Sequence, residues 1–595
     1  MIGILLTCGI FRRKTIQMAK NLFKAKFENK LPLGGIATGH ITLSPQGEIS
    51  DFGRESSNLS FFAIKAEKDG CLFDARVLQS VTSDALSLPC FESSSSASFF
   101  PFAEICFSDS SFPADVKLKA FSPFIPLNDT DSGIPAVCFE FEVKNKSIER
   151  MDFSIACVSE NVNENSFNRI GCTDTGEAYI FFSGVEEESQ NTCAATDGKN
   201  ISFCEYTSFS DFADNFKRES TLRNITKAEC PTPFAAGAVC THFSLAENES
   251  LTVKFCLSRY NPENEFSRNY YAQYFESSLE CCSYFFRQME RLEKSSNEFC
   301  EGVFGSTLPH HVLEEINEDL FDFTAKSYLR LGNGTLVTGE EEVFSDMESF
   351  ISRPSVLAGL FPSLEYSSVL NFYKSELYKT AKDDEIIMAV LKSYKKYVLS
   401  ADIDSLIEDW YYITKCMEQL YGENGERKPH ADLEIQASLI EAVVKITEIV
   451  KDKRRLEAYS KMLGNLPLRQ TSMDISKGFS KLYEISGFEY SATDKYIGFR
   501  PDSDACPLDE GGTFRCFFCT PTCYGYVEEG IDYIEINLLS GSLLVRSFGV
   551  PRIPRLAQYG GRNWRFENRN LTCILDSDLE ITPHKKLTIL IDIKQ

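Results

Sequence analysis

The chain has 595 residues, and its 61 Lys and Arg against 86 Asp and Glu leave a formal net charge of −25. That length exceeds one small module, and a 43% hydrophobic content with 48 Phe and 24 Tyr excludes a predominantly disordered chain. The acidic balance, without a Lys/Arg-rich run, argues against nucleic acid as a partner, and no stretch approaches the ~20 continuous apolar residues of a transmembrane segment.

Ile2 to Phe11 are apolar but are followed by Arg12, Arg13 and Lys14, which reverses the charge order of a secretory signal. Residues 1–24 are therefore read as an N-terminal extension, with Met18 a more ordinary start than Met1. A cytoplasmic location is expected. Residues 25–262 carry short alternating or aromatic-rich runs between Gly, Pro, Asn, Asp and Ser clusters, the pattern of a large antiparallel β-sandwich. Ala136 to Val143 and Leu251 to Leu257 are two such runs; Ser93 to Ser98 reads as a serine-rich loop and Asp129 to Gly133 as a turn.

The period changes near residue 265. Tyr271, Tyr274, Phe275, Cys282, Phe285, Met289 and Leu292 recur at helical spacing, as do Val312, Ile316, Leu320 and Phe323 after Pro309. Three further amphipathic stretches follow. They carry Ile387, Val390, Leu391, Tyr394 and Val398, then Leu406, Trp410, Ile413, Met417 and Leu420, then Leu439, Val443, Ile446 and Val450. Strands first and helices after, over 263–486, predict stacked units rather than an interleaved sheet. Strands return in 487–595, at Lys495 to Phe499, Thr513 to Phe518, Tyr533 to Leu539, Leu543 to Phe548 and Leu587 to Ile593.

Twenty-one cysteines, an odd number spread through apolar segments, read as buried free thiols rather than a disulfide framework. Cys516, Cys519 and Cys523 have metal-like spacing, but no fourth ligand stands near them, and their β-like run favours core. Cys281 and Cys282 read the same way. His310 and His311 fall at a helix start and form no H-E-x-x-H pattern. Gly34, Gly35 and Gly39 lack a P-loop Lys and read as tight turns, and no Ser elbow is present. No metal or other cofactor is expected, and the oligomeric state is left open.

Four segments in one order resemble glycoside hydrolase family 116, the group of bile-acid or non-lysosomal β-glucosidases (glucosylceramidases) and related bacterial enzymes. Leu31 to Leu43 (LPLGGIATGHITL), followed by Gly47 to Asp51, is similar to the family's LPLGGIGTG block. Asn269 to Leu292 leading to Ser306-Thr-Leu-Pro309 is similar to its linker helix and S-x-LP motif. Ala358 to Leu364 (AGLFPSL) resembles its ALLFPEL helix end, and Gly487 to Tyr490 with Phe514 to Phe518 (FRCFF) resembles two C-terminal patterns. The resemblance implies an N-terminal β-sandwich packed on an (α/α)6 helical toroid, here with a short C-terminal β segment. Twelve helices of ~11 residues fit the helical tract only with short loops.

The resemblance also implies a retaining β-glucosidase that cleaves glucosylceramide-like or oligosaccharide substrates, with a carbohydrate as its partner. Such enzymes set a nucleophile and an acid/base about 5 to 5.5 Å apart across the glycosidic bond. The family's nucleophile loop maps to Gly334 to Val343, where Glu340 is the nearest candidate; Glu340, Glu341 and Glu342 read equally as a solvated acidic turn. Glu348 stands where the family has a sugar-binding Asp. Asp432 is the positional candidate for the acid/base, with His430 beside it as a second substrate-binding candidate; as a bare residue Asp432 is also an ordinary helix-start carboxylate. The chain departs from the family in three ways: no Trp follows Asp432, the segment after Glu340 lacks the small Cys-containing stretch, and the late Glu/Arg sugar-binding segment has no counterpart. A catalytically impaired carbohydrate-binding or scaffolding relative is the alternative that these departures leave open.

Overall fold

The computed structural model describes residues 23–50, 60–82, 86–160, 167–183, 190–224, 236–263, 268–338, 359–422, 427–431, 433–464, 477–501 and 512–593. Residues 1–22 of the expected extension lie outside them.

Two eight-stranded antiparallel sheets make up the first part of the chain. One runs from Leu31–Leu33 through Ser60–Lys68, Met151–Glu160 and Ala236–Leu245 to Ile201–Tyr206. The other runs from Phe167–Cys172 through Ser250–Tyr260 and Ala136–Asn145 to Ser93–Phe99. The AVCFEFEV run alternates as its sequence requires. Phe139 and Phe141 meet Phe62 of the other sheet at ring-centroid distances of 5.1 and 4.7 Å, and Phe255 joins them at 5.3 Å. Burying such rings contributes roughly 2–3 kcal/mol each, so this inter-sheet layer stabilises the sandwich.

The serine run is a strand, not a loop. Ser93 to Phe99 pairs in register with Phe102–Ser108, Ser93 opposite Ser108 and Phe99 opposite Phe102. It is the last strand of its sheet, and small hydroxyl side chains suit a strand with one neighbour, so pairing decides against the local loop preference of serine. The Asp129–Gly133 turn contains a 3-10 turn at Asp131–Gly133.

Each sheet has a helical cover. Helix α1 (Phe209–Arg218) lays Phe212 and Phe216 on the outer face of the first sheet against Phe61 and Tyr206. Helix α2 (Ser278–Phe304) covers the second sheet with Cys282, Phe285, Met289 and Leu292, the residues its period selects. Ser277 caps its start by accepting from the Glu280 N–H.

Helix α3 (His310–Lys326) follows, and the remaining helices are α4 (Pro362–Lys374), α5 (Asp383–Ser400), α6 (Ile403–Tyr421), α7 (Leu433–Ile449), α8 (Lys453–Leu463) and α9 (Lys477–Ser486). Ile387, Val390, Leu406, Ile413, Met417, Leu420, Leu439, Val443 and Ile446 are buried together in one core formed by α4 to α7. α5 turns into α6 at Ala401, φ +57°, and Asp402 caps α6 by accepting from the Ser405 N–H. Tyr274 departs from the periodic expectation: the turn before it is a 3-10 helix, Tyr270–Gln273, and at three residues per turn Tyr274 rotates out to solvent.

The C-terminal strands form a five-stranded and a six-stranded sheet, eleven strands where the sequence reading names five runs. Some of the added strands are short and exposed, such as Arg562–Trp564 and Phe566–Arg569, whereas Cys523–Glu529 and Thr572–Ile581 are longer and partly buried. The FRCFF strand lies deepest. Phe517 packs on Phe299 of α2 and Phe518 on Phe488 and Phe499, while Cys516, Cys519 and Cys523 are buried thiols. Among the described residues no group of His, Cys, Asp and Glu could hold a metal ion, and no helix is long and apolar enough to cross a membrane.

Candidate functional site

The family-like segments, far apart in sequence, meet in space. Ile36 of the first donates its N–H to Ser132 O in the 3-10 turn, and Leu127, just before that turn, donates to Leu360 O of the LFP segment. Phe361 packs edge-on against Phe124. The Ser306-Thr307 segment joins the FRCFF strand: Thr307 donates to Arg515 O, and Ser306 Oγ accepts from the Phe517 N–H. Gly34 and Gly35 are small because carbonyls press on them; a Cβ at Gly35 would lie 2.3 Å from Ile134 O.

At this meeting point a short hairpin projects from α3. Strands Ser327–Arg330 and Leu336–Thr338 pair with Arg330 opposite Leu336, and Gly334 takes φ +91° in the turn. The Asn333-Gly334 dipeptide is the local sequence signal for that turn. On one side Ser368 Oγ of α4 accepts from the Leu336 N–H. On the other, Arg330 is 5% exposed and donates from Nη2 to Asp129 Oδ2 at 2.7 Å and from Nε to Gly334 O at 3.3 Å. Its guanidinium lies 3.4 Å from the centroid of the Tyr270 ring. Ser363 also donates to Asp129 Oδ2, at 2.8 Å.

A second ion pair holds the base of the same turn. Asp131 accepts from Arg291 Nη1 of α2 at 2.6 Å and from Tyr284 at 2.9 Å. Burial disfavours its charge, but the bonds from Arg291, Tyr284 and Asn128 outweigh burial and hold the carboxyl below the usual range. Tyr270 shifts the other way: burial first, then the bond to Tyr274, pushes its phenol up, so it stays protonated.

Glu340, Glu341, Glu342 and Glu348 follow directly on this hairpin and lie outside the described residues, as does Asp432. His430 is described. It is exposed, and its backbone N–H donates to Asp383 Oδ2 at 2.6 Å, at the N-terminus of α5, where Arg427 also pairs with Asp383. His430 is thus the one predicted site residue among the described residues. Sequence reasoning missed Arg330, Asp129 and Tyr270, which arrange the hairpin leading to Glu340.

Residues 31–292 match the family model described as beta-glucosidase 2, glycosyl-hydrolase family 116 N-term. No curated protein matches the sequence. Among solved structures, a protein titled as a kojibiose phosphorylase from the human microbiome is 9% identical, with TM-score 0.42, and covers 94% of this chain and 92% of its own. A family GH92 α-mannosidase from Bacteroides thetaiotaomicron is 10% identical at TM-score 0.28, over 73% of this chain and 62% of its own. A GH92 family glycosyl hydrolase is 10% identical at TM-score 0.33, over 82% and 67%. The matched stretch spans the sandwich and the first part of helix α2, so this part of the chain is similar to a glycosyl-hydrolase family 116 N-terminal domain.

Proposed function

We propose that the chain is a glycoside hydrolase that cleaves β-glucosides, either glucosylceramide-like or oligosaccharide, by a retaining two-carboxylate mechanism. Glu340 is the nucleophile and Asp432 the acid/base; Glu348 and His430 bind sugar hydroxyls. The reading rests on the family 116 match over residues 31–292. It is supported by the hairpin that ends at Thr338, just before Glu340, and is clamped on both sides, since a nucleophile must be held within about 0.5 Å of its productive position. The reading keeps the (α/α)6 ring for residues 263–486, with the sandwich at 25–262 and the C-terminal β unit at 487–595. The tight α5–α6 and α7–α8 turns are the helical hairpins that such a ring repeats. It also keeps the cytoplasm as the location, in accord with described cysteines that are all free thiols.

The test is hydrolysis of a panel of aryl β-glycosides by the full chain. Cleavage of the aryl β-glucoside with the β-anomer as first product is expected, and Glu340→Gln loses on the order of a thousandfold in kcat. A panel left uncleaved ends the hydrolase reading.

One observation favours the second reading, a carbohydrate-binding relative without catalysis. The hairpin before Glu340 contributes Leu336 to the core shared with the sandwich, whereas Ala431, beside Asp432, packs on the separate core of α4 to α7. Saturable glucoside binding without turnover would select it.

A further inference from the structure

One end of the sandwich carries apolar side chains that the fold holds outward. The connections 146–150 and 246–249 both cross there from one sheet to the other, since Met151 stands opposite Leu245 and Ser250 opposite Lys144. The hairpin turn at Asp69 and Gly70 ends at the same level: Lys68 stands opposite Cys71, and Glu67 stands opposite both Leu72 and Asp152. On these tips Ile148 is 83% exposed, more than any other large apolar side chain among the described residues, and Phe73 and Leu72 are 55% and 40% exposed. Single exposed apolar residues are ordinary, but three on adjoining tips form a patch.

The tip that carries Ile148 is held from within. Asn145, fully buried, donates from Nδ2 to Glu149 O at 2.8 Å and to Leu245 O at 3.0 Å, which ties the two connections together. Its Oδ1 accepts from the Ser147 N–H at 2.8 Å, and Ser147 Oγ accepts from the Glu149 N–H at 3.1 Å. Lys68 of the hairpin pairs with Glu149. Backbone groups on either side of Ile148 therefore have partners that leaving water does not remove, and the fixed turn gives up little conformational freedom on binding.

Shape and charge select the partner. The apolar groups stand on projecting turns, so a second copy would meet them tip against tip and touch over little area. A fluid bilayer closes around projecting side chains. Charge complementarity then chooses the headgroup. Arg150 is exposed in the same turn as Ile148, while Asp69 and Glu247 are exposed on the neighbouring tips. Mixed signs match a headgroup that carries both a phosphate and a quaternary ammonium, and the carboxylates disfavour an anionic one.

We propose that this end of the sandwich docks on a zwitterionic phosphatidylcholine bilayer, with Ile148, Phe73 and Leu72 entering the boundary between headgroups and acyl chains. The docking is independent of the glycosidase reading, and its test reads no turnover. The full chain is floated with phosphatidylcholine vesicles, with and without added phosphatidylserine, beside Ile148→Ser and Phe73→Ser. Ile531→Ser is the control, an isoleucine 62% exposed in a turn of the C-terminal sheets. All three side chains face solvent, so unchanged thermal midpoints are expected. The full chain floats, Ile148→Ser and Phe73→Ser each lower the bound fraction about fivefold, Ile531→Ser leaves it unchanged, and phosphatidylserine does not raise it. Failure of the full chain to float, equal flotation of Ile148→Ser, or a requirement for phosphatidylserine each overturns the proposal. Self-association in lipid-free buffer that Ile148→Ser abolishes assigns the patch to a second copy and overturns it as well.

Discussion

Arg330 and Asp129 stand 201 residues apart in the chain and 2.7 Å apart in space, and their ion pair ties the sandwich to the hairpin that runs toward Glu340. Both side chains are largely buried, 6% and 18% exposed. Removing one partner strands the other, at a cost on the order of 3 kcal/mol, whereas removing both costs less than the two single losses summed. Arg330→Met and Asp129→Asn, alone and together, should therefore show a clear coupling energy in urea unfolding. Arg330→Lys should recover only part of it, because an ammonium lacks the planar fork that serves Asp129 and Gly334 while stacking on Tyr270. Additive single-mutant effects would contradict the clamp.

His242 makes stability depend on acid. Its ring lies between Ser154, 2.7 Å from Nδ1, and Ser202, 2.6 Å from Nε2. Burial first, then the nearby Lys65 charge, lowers its pKa from 6.5 to about 4. A depressed folded-state value means that protonation favours the unfolded chain. The stabilisation is complete above pH 6.5 and is lost as pH falls toward 4, by up to about 3 kcal/mol. A urea-unfolding series from pH 7 to pH 4 should show this slope, and His242→Gln should flatten it. An unchanged slope in the variant would assign it to other groups.

How much of this was readable beforehand differs between fold and site. The inter-sheet layer of Phe139 and Phe141 and the core of Ile413, Met417 and Leu420 announce themselves by period, because burial acts along a continuous stretch. Ser93–Phe99 did not, because its pairing comes from Phe102–Ser108 and from no pattern of its own. Tyr274 did not, because one 3-10 turn shifts its phase. The Arg330 clamp joins residues whose partners are fixed only by the packed sandwich; of its parts, only the Asn333-Gly334 turn carries a local signal. Glu340, Glu348 and Asp432 rest on resemblance and lie outside the described residues.

Lys65 gives a stability prediction on the far face of the sandwich. It is 1% exposed, pairs with Glu67 at 3.2 Å, and donates to the Glu219 and Ser220 carbonyls at the C-terminal end of α1 at 2.6 and 3.2 Å. A cation there satisfies carbonyls that a helix end leaves open and meets the negative end of its dipole. Lys65→Met keeps the volume but leaves Glu67 and both carbonyls unpaired, so a loss of about 3 kcal/mol is expected. Lys65→Met with Glu67→Leu should restore part of it. Hydrogen exchange should locate the loss at α1, and a loss spread evenly over the sandwich would refute the capping role.

Gly334 tests whether the hairpin itself matters to activity. Its φ of +91° is costly for any residue with a side chain, and a Cβ there would meet Ser367 Oγ at 2.9 Å and Ser367 Cβ at 3.2 Å, on the helix that the hairpin packs against. Gly334→Ala should therefore destabilise the chain by about 1–2 kcal/mol and push the hairpin off α4. Adding Ser367→Gly removes the clash but not the backbone strain, so it should regain only part of the stability. If the hairpin positions Glu340, Gly334→Ala lowers kcat on an aryl β-glucoside well below what the folded fraction explains, and the double variant recovers part of that loss along with the stability. A kcat that tracks only the folded fraction would separate the hairpin from catalysis and leave it a purely structural joint between the sandwich and the helices.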